Sequence, residues 1–327
     1  MTVESETTPH TKMGGGWQPT RIVRARSTTT WVIAAVVALL VILVAYTVLT
    51  SPAMEWSVIV SYMFAPRILA GLWTTIYLTF LAMAIGITAG LIAAVLMRAR
   101  NPILFAIGSG YVWIFRAVPT LVQLLIWYNL ASLFPMVNIG IPFMDPWLSV
   151  SPNAFMTPLL AACLGLGLSE GAYMAEIIRG GILSVPKGQS EAASALGMSS
   201  RLTLFRIVLP QAMRAIIPAT GNQVIGMLKY TSLASVISVA ELLQSAQQIY
   251  NVNFRIIPLL MVASFWYIIL TSLLTIGQRF IERYFARGFD SRQGVATSTD
   301  IPPATTEEIQ QVLAEESQSE QAERSSK

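Results

Sequence analysis

Polar and ionisable residues stranded inside long apolar runs are the places where this 327-residue chain can do chemistry. Lipid solvates such groups poorly, so each marks a pathway, a partner or a structural lock. Glu170 stands in the apolar stretch 157–178, positioned to meet a substrate ammonium or cationic side chain, or to be neutralised internally by Arg116 or Lys229. Arg116 lies three residues before Pro119, and its guanidinium can take a carboxylate bidentately or cap the carbonyls of broken backbone. Lys229, with Thr231 and Ser232, offers donors beside a possible path or hydrogen bonds of purely structural value. Gln123 completes this candidate set for a substrate path. Glu176 and Arg179 are spaced i, i+3, which predicts an ion pair on a helix surface.

Other chemistries are excluded by what the residues are. The one cysteine, Cys163, sits in an apolar run and reads as a small buried side chain, so no disulfide framework or cysteine-based metal centre is expected. The one histidine, His10, falls in a polar segment, which leaves the apolar body without a Ser-His pair, and no Asp pair suits an aspartyl protease. Lys187 and Lys229 both lack the glycines of a G-x-x-x-x-G-K-[ST] phosphate loop. Trp73, Trp113, Trp127, Trp147 and Trp266 read as lipid-facing or interfacial residues, not as a cofactor box.

The elements that position these residues follow from composition. The chain is 54% hydrophobic and 12% charged, with mean hydropathy +0.61. Soluble domains carry about 25% charged residues, so a soluble or disordered protein is excluded, and five to seven helical spans of ~20 residues fit. Residues 1–30 are polar and read as a disordered cytoplasmic arm. The charge-free run 31–49 reads as an uncleaved first span; it is too long for a signal-peptide core and lacks a small-residue cleavage site. Further spans are expected at 68–97, rich in small residues (Gly71, Gly86, Gly90) that allow close helix approach, then 157–178, 215–240 and 256–276. The stretch 103–134 is broken by Arg116 and Pro119, so a bent or re-entrant third span is predicted. Residues 50–67, 135–158 and the short connection before Arg255 read as external loops, and 288–327, with eight acids against three bases, as a disordered acidic cytoplasmic tail. Arg21, Arg24, Arg26, Arg98, Arg100, the segment 179–214 and Arg279, Arg283 and Arg287 all fall on one side of six alternating spans. No Lys or Arg occurs from 117 to 178, so both termini are placed in the cytoplasm. The basic pI of 9.3 thus reflects orientation in lipid, not nucleic-acid binding.

The only long polar segment inside the body, 180–214, contains EAASALGMSSRLTLFRIVLP at 191–210. Ala192, Ala193 and Ala195 favour a compact helix, Gly197 can end it in the left-handed conformation, and Pro210 is expected to break the chain before it re-enters the membrane. The spacing Glu191-Ala192-Ala193, three residues, Gly197, nine residues, Ile207, one residue, Leu209-Pro210 resembles the EAA loop of bacterial ABC importer permeases. Residues 171–197, 209–243 and FRAVPTLVQL at 115–124 are similar to the polar amino-acid uptake branch, and the resemblance covers about 65–283. Ala117 stands where the family usually has Gly, Tyr230 where many members have a small or acidic residue, and Glu170 where many have a small or polar one.

The resemblance implies an all-α polytopic membrane protein: a five-helix permease core over 65–283, with an extra N-terminal span at 31–49. It implies a transport subunit of the bacterial plasma membrane that is not itself an enzyme and holds no cofactor. ATP and Mg would be bound by partner ABC ATPase subunits docked through Glu191, Ala192, Ala193, Gly197, Ile207, Leu209 and Pro210. It further implies a second permease chain, identical or paralogous, an extracytoplasmic amino-acid-binding protein and import by alternating access. The rival reading is a secondary amino-acid carrier driven by an ion gradient through Glu170.

Overall fold

The computed structural model describes residues 28–139 and 146–286. His10, the arm at 1–27 and the tail at 288–327 lie outside the described residues. The chain forms two compact units divided after Glu55.

In the first unit, α1 (Thr28–Leu49) takes in the last three residues assigned to the arm. It is apolar on every side and exposed from Thr30 to Leu49, as suits a helix solvated by lipid. The hydroxyls of Thr47 and Thr50 donate to Leu43 O and Tyr46 O at 2.8 and 2.7 Å, so neither is left unpaired in an apolar surround.

The second unit begins with α2 (Trp56–Met63) and α3 (Pro66–Leu96). Next come α4 (Pro102–Ala117), α5 (Thr120–Tyr128) and the single turn α6 (Leu130–Leu133). A two-stranded antiparallel ribbon follows, β1 (Val137–Ile139) and β2 (Leu148–Val150), with Asn138 opposite Ser149. The remaining helices are α7 (Pro158–Leu183), α8 (Lys187–Ala195), α9 (Ser200–Thr203), α10 (Leu209–Tyr230), α11 (Leu242–Asn253) and α12 (Ile256–Ala286). Among the described residues five helical stretches are long and apolar enough to cross a membrane, six when α4 and α5 count as one broken span.

Helix starts are written locally. Pro66, Pro102 and Pro158 occupy first-turn positions where no intrahelical donor is needed. Asn101 Oδ1 accepts from Ile103 N at 2.8 Å, and Thr157 Oγ1 from Leu160 N at 3.2 Å. The predicted break at Pro119 is present: Val118 is extended (φ −89, ψ 128), and α4 and α5 meet at a 102° bend.

Glycines bring α3 and α7 together. A Cβ on Gly86 would lie 2.9 Å from Glu170 Cγ, and one on Gly90 2.5 Å from Met174 Cβ; from the other side, Gly167 faces Ile85 and Gly171 faces Ala89, with Tyr111 of α4 also against Gly171. In lipid, where water exclusion does not drive helices together, such backbone proximity supplies the packing. Leu78, Ala82, Met83, Leu124, Leu166, Met174, Met227 and Ile237 form the core around this pair. Cys163 is buried as expected, at 5% exposure.

Four expectations are corrected. Pro210 does not break the chain: α9, a π-helical turn at Leu204–Val208 and α10 run on from Ser200. Leu209 N–H bonds Leu204 O in the wide turn, so the ladder is already shifted where proline removes a donor. The span at 157–178 continues to Leu183, past Arg179. The loop placed at 135–158 holds the β ribbon. Most of the connection before Arg255 is helix α11: Glu241 accepts from Leu243 N and Gln244 N at 2.9 and 2.7 Å and from Tyr267 Oη at 2.9 Å. The tryptophans divide: Trp73, Trp113 and Trp147 are exposed, whereas Trp127 packs on the core and Trp266 Nε1 donates to Met63 O at 2.8 Å.

Candidate functional site

Two clusters collect the residues singled out by sequence. The first is the segment joining α7 to α10. Helix α8 carries Glu191 and Ala192 on its exposed side and buries Ala193. It ends in a Schellman arrangement: Met198 N–H bonds Ala193 O and Gly197 N–H bonds Ser194 O, both at 3.0 Å. Gly197 has φ +75, the left-handed backbone that glycine tolerates and that the sequence predicts. Ser199 then caps α9, with its hydroxyl 3.4 Å from Leu202 N. Ile207 and Leu209 are half-buried and Pro210 exposed, so the motif continues along the wide turn into the first turn of α10. Gln211 Nε2 donates to Ile207 O at 2.9 Å and to Gln189 Oε1 at 3.3 Å, tying α10 to α8.

Around this frame the surface is apolar where a lone protein would be polar. Leu196 is 82% exposed and Phe205 64%. Beside them a cavity of about 430 Å³ is lined by Arg98, Lys187, Glu191, Ser194, Thr203 and Leu204. Exposed apolar side chains and charges are thus grouped on one segment.

The second cluster lies between α5, α7 and α10. Glu170 is 4% exposed, and its Oε1 accepts from Gln223 Nε2 at 2.8 Å. The partner is therefore this neutral amide, not Arg116 or Lys229. Thr120 Oγ1 and Ser169 Oγ share a 3.0 Å hydrogen bond. Thr120, Ser169, Glu170, Tyr173 and Tyr230 open onto a common cavity of about 80 Å³. Among the residues lining this cavity Glu170 carries the one carboxyl, and none is Lys or Arg.

The other path candidates have different duties. Arg116 lies 3.8 Å from Glu176 and 5.7 Å from the Tyr173 ring centroid, so its charge is shared between a carboxylate and an aromatic face. Arg179 pairs with Glu176 at 2.6 Å, as the i, i+3 spacing predicts. Gln123 Nε2 donates to Phe115 O and Val118 O at 2.9 and 2.8 Å. It satisfies the carbonyls freed by the break at Pro119, a duty that the sequence offered to Arg116. Lys229 is exposed, whereas Thr231 and Ser232 turn their hydroxyls to Leu228 O and Lys229 O, both at 2.7 Å. Gln123, Lys229, Thr231 and Ser232 thus do not line the Glu170 cavity. Sequence reasoning missed Gln223, Thr120, Ser169 and Tyr173; Gln223, a polar residue in an apolar span, was the available signal.

Comparison with known proteins identifies the family. Residues 86–289 match the family described as binding-protein-dependent transport system inner membrane component. The arginine transport system permease protein ArgU of Corynebacterium glutamicum is 43% identical over 259 residues, 79% of this chain and 80% of that protein. The L-cystine transport system permease protein TcyB of Bacillus subtilis is 40% identical over 236 residues, 72% of this chain and 93% of its own length. Among solved structures, that of an amino acid ABC transporter with histidines superposes with TM-score 0.59 at 33% identity, covering 68% of this chain and 95% of the other. Both curated relatives are named as permease proteins of amino-acid transport systems, and this chain holds several helices long and apolar enough to cross a membrane.

Proposed function

This chain belongs to the family of binding-protein-dependent transport system inner membrane components, and on that premise we propose that it is the permease subunit of an ATP-driven importer of polar amino acids. The segment 187–210 is the handle. Its carrying observation is a short helix closed by a left-handed Gly197 beside uncovered Leu196 and Phe205. A partner ATPase seats on Glu191, Ala192 and Gly197, while Ala193, buried beneath them, packs α8 onto the rest of the chain instead of meeting the partner. The partner's nucleotide-dependent closure moves this surface. Ile207, Leu209 and Pro210 pass the displacement into α10. ATP and Mg belong to that partner; this chain contributes no phosphate loop and no cofactor site. Coupling is a bias between two access states, one favoured while nucleotide is bound.

Both termini lie in the cytoplasm, with 180–214 on the same side, because the cations concentrate there. A second permease chain completes the path, and an extracytoplasmic binding protein delivers the substrate. Within the path Glu170 contacts a cationic group on the substrate. Its supports are a buried carboxylate whose hydrogen-bond partner is a neutral amide, and a relative named for arginine transport.

The test is uptake of radiolabelled amino acids by the assembled complex, with ATP depleted while membrane potential is held by other means. Uptake should stop, and an ATPase subunit should co-purify with the chain. Uptake that survives depletion, or a chain that purifies without any ATPase, would favour an ion-gradient carrier instead.

A further inference from the structure

The importer reading leaves one groove unused, at the end of α12. Val185, Pro186, Ala215, Pro218 and Phe285 line a largely apolar cavity of about 480 Å³, to which Arg214 adds a charge. Gln211 lies in the same wall and is the residue that ties α10 to Gln189 on α8. Anything seated there touches the tether of the coupling helix. Arg214 in the lining, and Lys187 and Arg283 next in sequence to the lining residues Pro186 and Glu282, are exposed and have no ion-pair partner among the described residues. Glu282, the acid in the groove, already accepts from Gln278 Nε2 at 3.0 Å.

The chain carries a complementary segment. Past the end of α12 at Ala286, residues 305–316 read TTEEIQQVLAEE, with acids at Glu307, Glu308, Glu315 and Glu316 and no base. Thr305 and Glu308 stand at the spacing of a capping box. Ile309, Val312 and Leu313 fall at i, i+3 and i+4, one face of a helix. Nineteen positions separate 286 from 305 (305 − 286), a tether with root-mean-square reach of ~24 Å if it behaves as a flexible coil. Phe285, next to the tether's origin, itself lines the groove, so the effective concentration of the segment there is on the order of millimolar.

We propose that residues 305–316 dock as an acidic amphipathic helix in this groove, folding as they bind, and thereby restrain α8. The apolar stripe fills the slot while the acids meet Lys187, Arg214 and Arg283. Docking itself is independent of the importer reading; its consequence, a brake on transport, rests on it.

The experiment uses the full-length chain in membranes with Ala215→Cys and Val312→Cys combined. Cys163 is 5% exposed and does not compete. Mild oxidation should close an intramolecular disulfide in most of the chain, and E307Q/E308Q/E315Q/E316Q should suppress it about tenfold, since the charges supply much of the attraction. No disulfide, one that ignores the acid substitutions, or one formed only between singly substituted chains, as a second copy's tail would give, overturns the docking. In the assembled importer, truncation after Ile301 should raise the uptake rate about fivefold, the scale of a modest coupling energy; an unchanged rate overturns the brake. Cross-linking needs neither nucleotide nor ATPase, so its failure leaves the importer reading intact, and failed uptake by the wild-type chain leaves the docking intact.

Discussion

The α3–α7 interface and the segment 187–208 are both built on small residues, yet they use them in opposite ways. At Gly86, Gly90, Gly167 and Gly171 a missing side chain is filled by a neighbour, so the interface closes on itself. A Cβ added at Gly197 would meet nothing within 4 Å among the described residues beyond its chain neighbours; what the glycine supplies there is a backbone angle, φ +75, that other residues adopt at a cost of about 1–2 kcal/mol. One region is complete within the chain. The other presents Leu196 and Phe205 without cover. The contrast teaches that composition alone does not tell a packing glycine from a conformational one, and that surroundings decide.

The strongest way to break the contrast is Gly90→Val. Its branched side chain would collide with Met174 Cβ and Gly171 O, so stability should fall by ~3 kcal/mol or more, seen as a lowered Tm or loss of folded protein in detergent. Gly197→Asp should lower the Tm by only a few degrees, the cost of the strained φ +75 backbone, yet reduce ATP-driven uptake at least about twentyfold, because a charge and a side chain now stand on the docking face. Normal uptake by the assembled variant would remove that face from the coupling path. Glu170→Gln sharpens the comparison from inside the core. It keeps the shape and neighbours of Gln223, so assembly should persist while preference for basic over neutral amino acids drops about tenfold, one lost charge interaction. Unchanged selectivity would take Glu170 out of the path. The smallest effect is expected for Arg179→Ala: its pair with Glu176 is half-exposed, so Tm and uptake should change little, with less than about 1 kcal/mol at stake.

Much of this was legible in the chain. Apolar runs bounded by cations located the spans, Pro119 located the bend, and the Glu176–Arg179 spacing located an ion pair, because each depends on residues close in sequence. The left-handed turn at Gly197 was legible for the same reason. Helix α11 was not. Its polar sequence, QSAQQIYNVN, resembles a loop, and its place is fixed by distant residues: a Cβ on Gly71 would collide with Ser245, and Tyr267 reaches the Glu241 cap. The Glu170–Gln223 bond joins residues 53 apart, so only the fold brings them together. Pro210 misled because a break is proline's usual effect; a widened turn just before it lets the helix run on.

That widened turn at Leu204–Val208 has a geometric result of its own. One residue beyond α-helical count advances the winding by about 100°. Side chains of α9 and those of α10 therefore project as from two rods sharing one axis but set out of phase. Farther along α10, Gln278 fills the space of the absent Cβ of Gly221, so the count of residues in the widened turn sets which face of α10 meets α12.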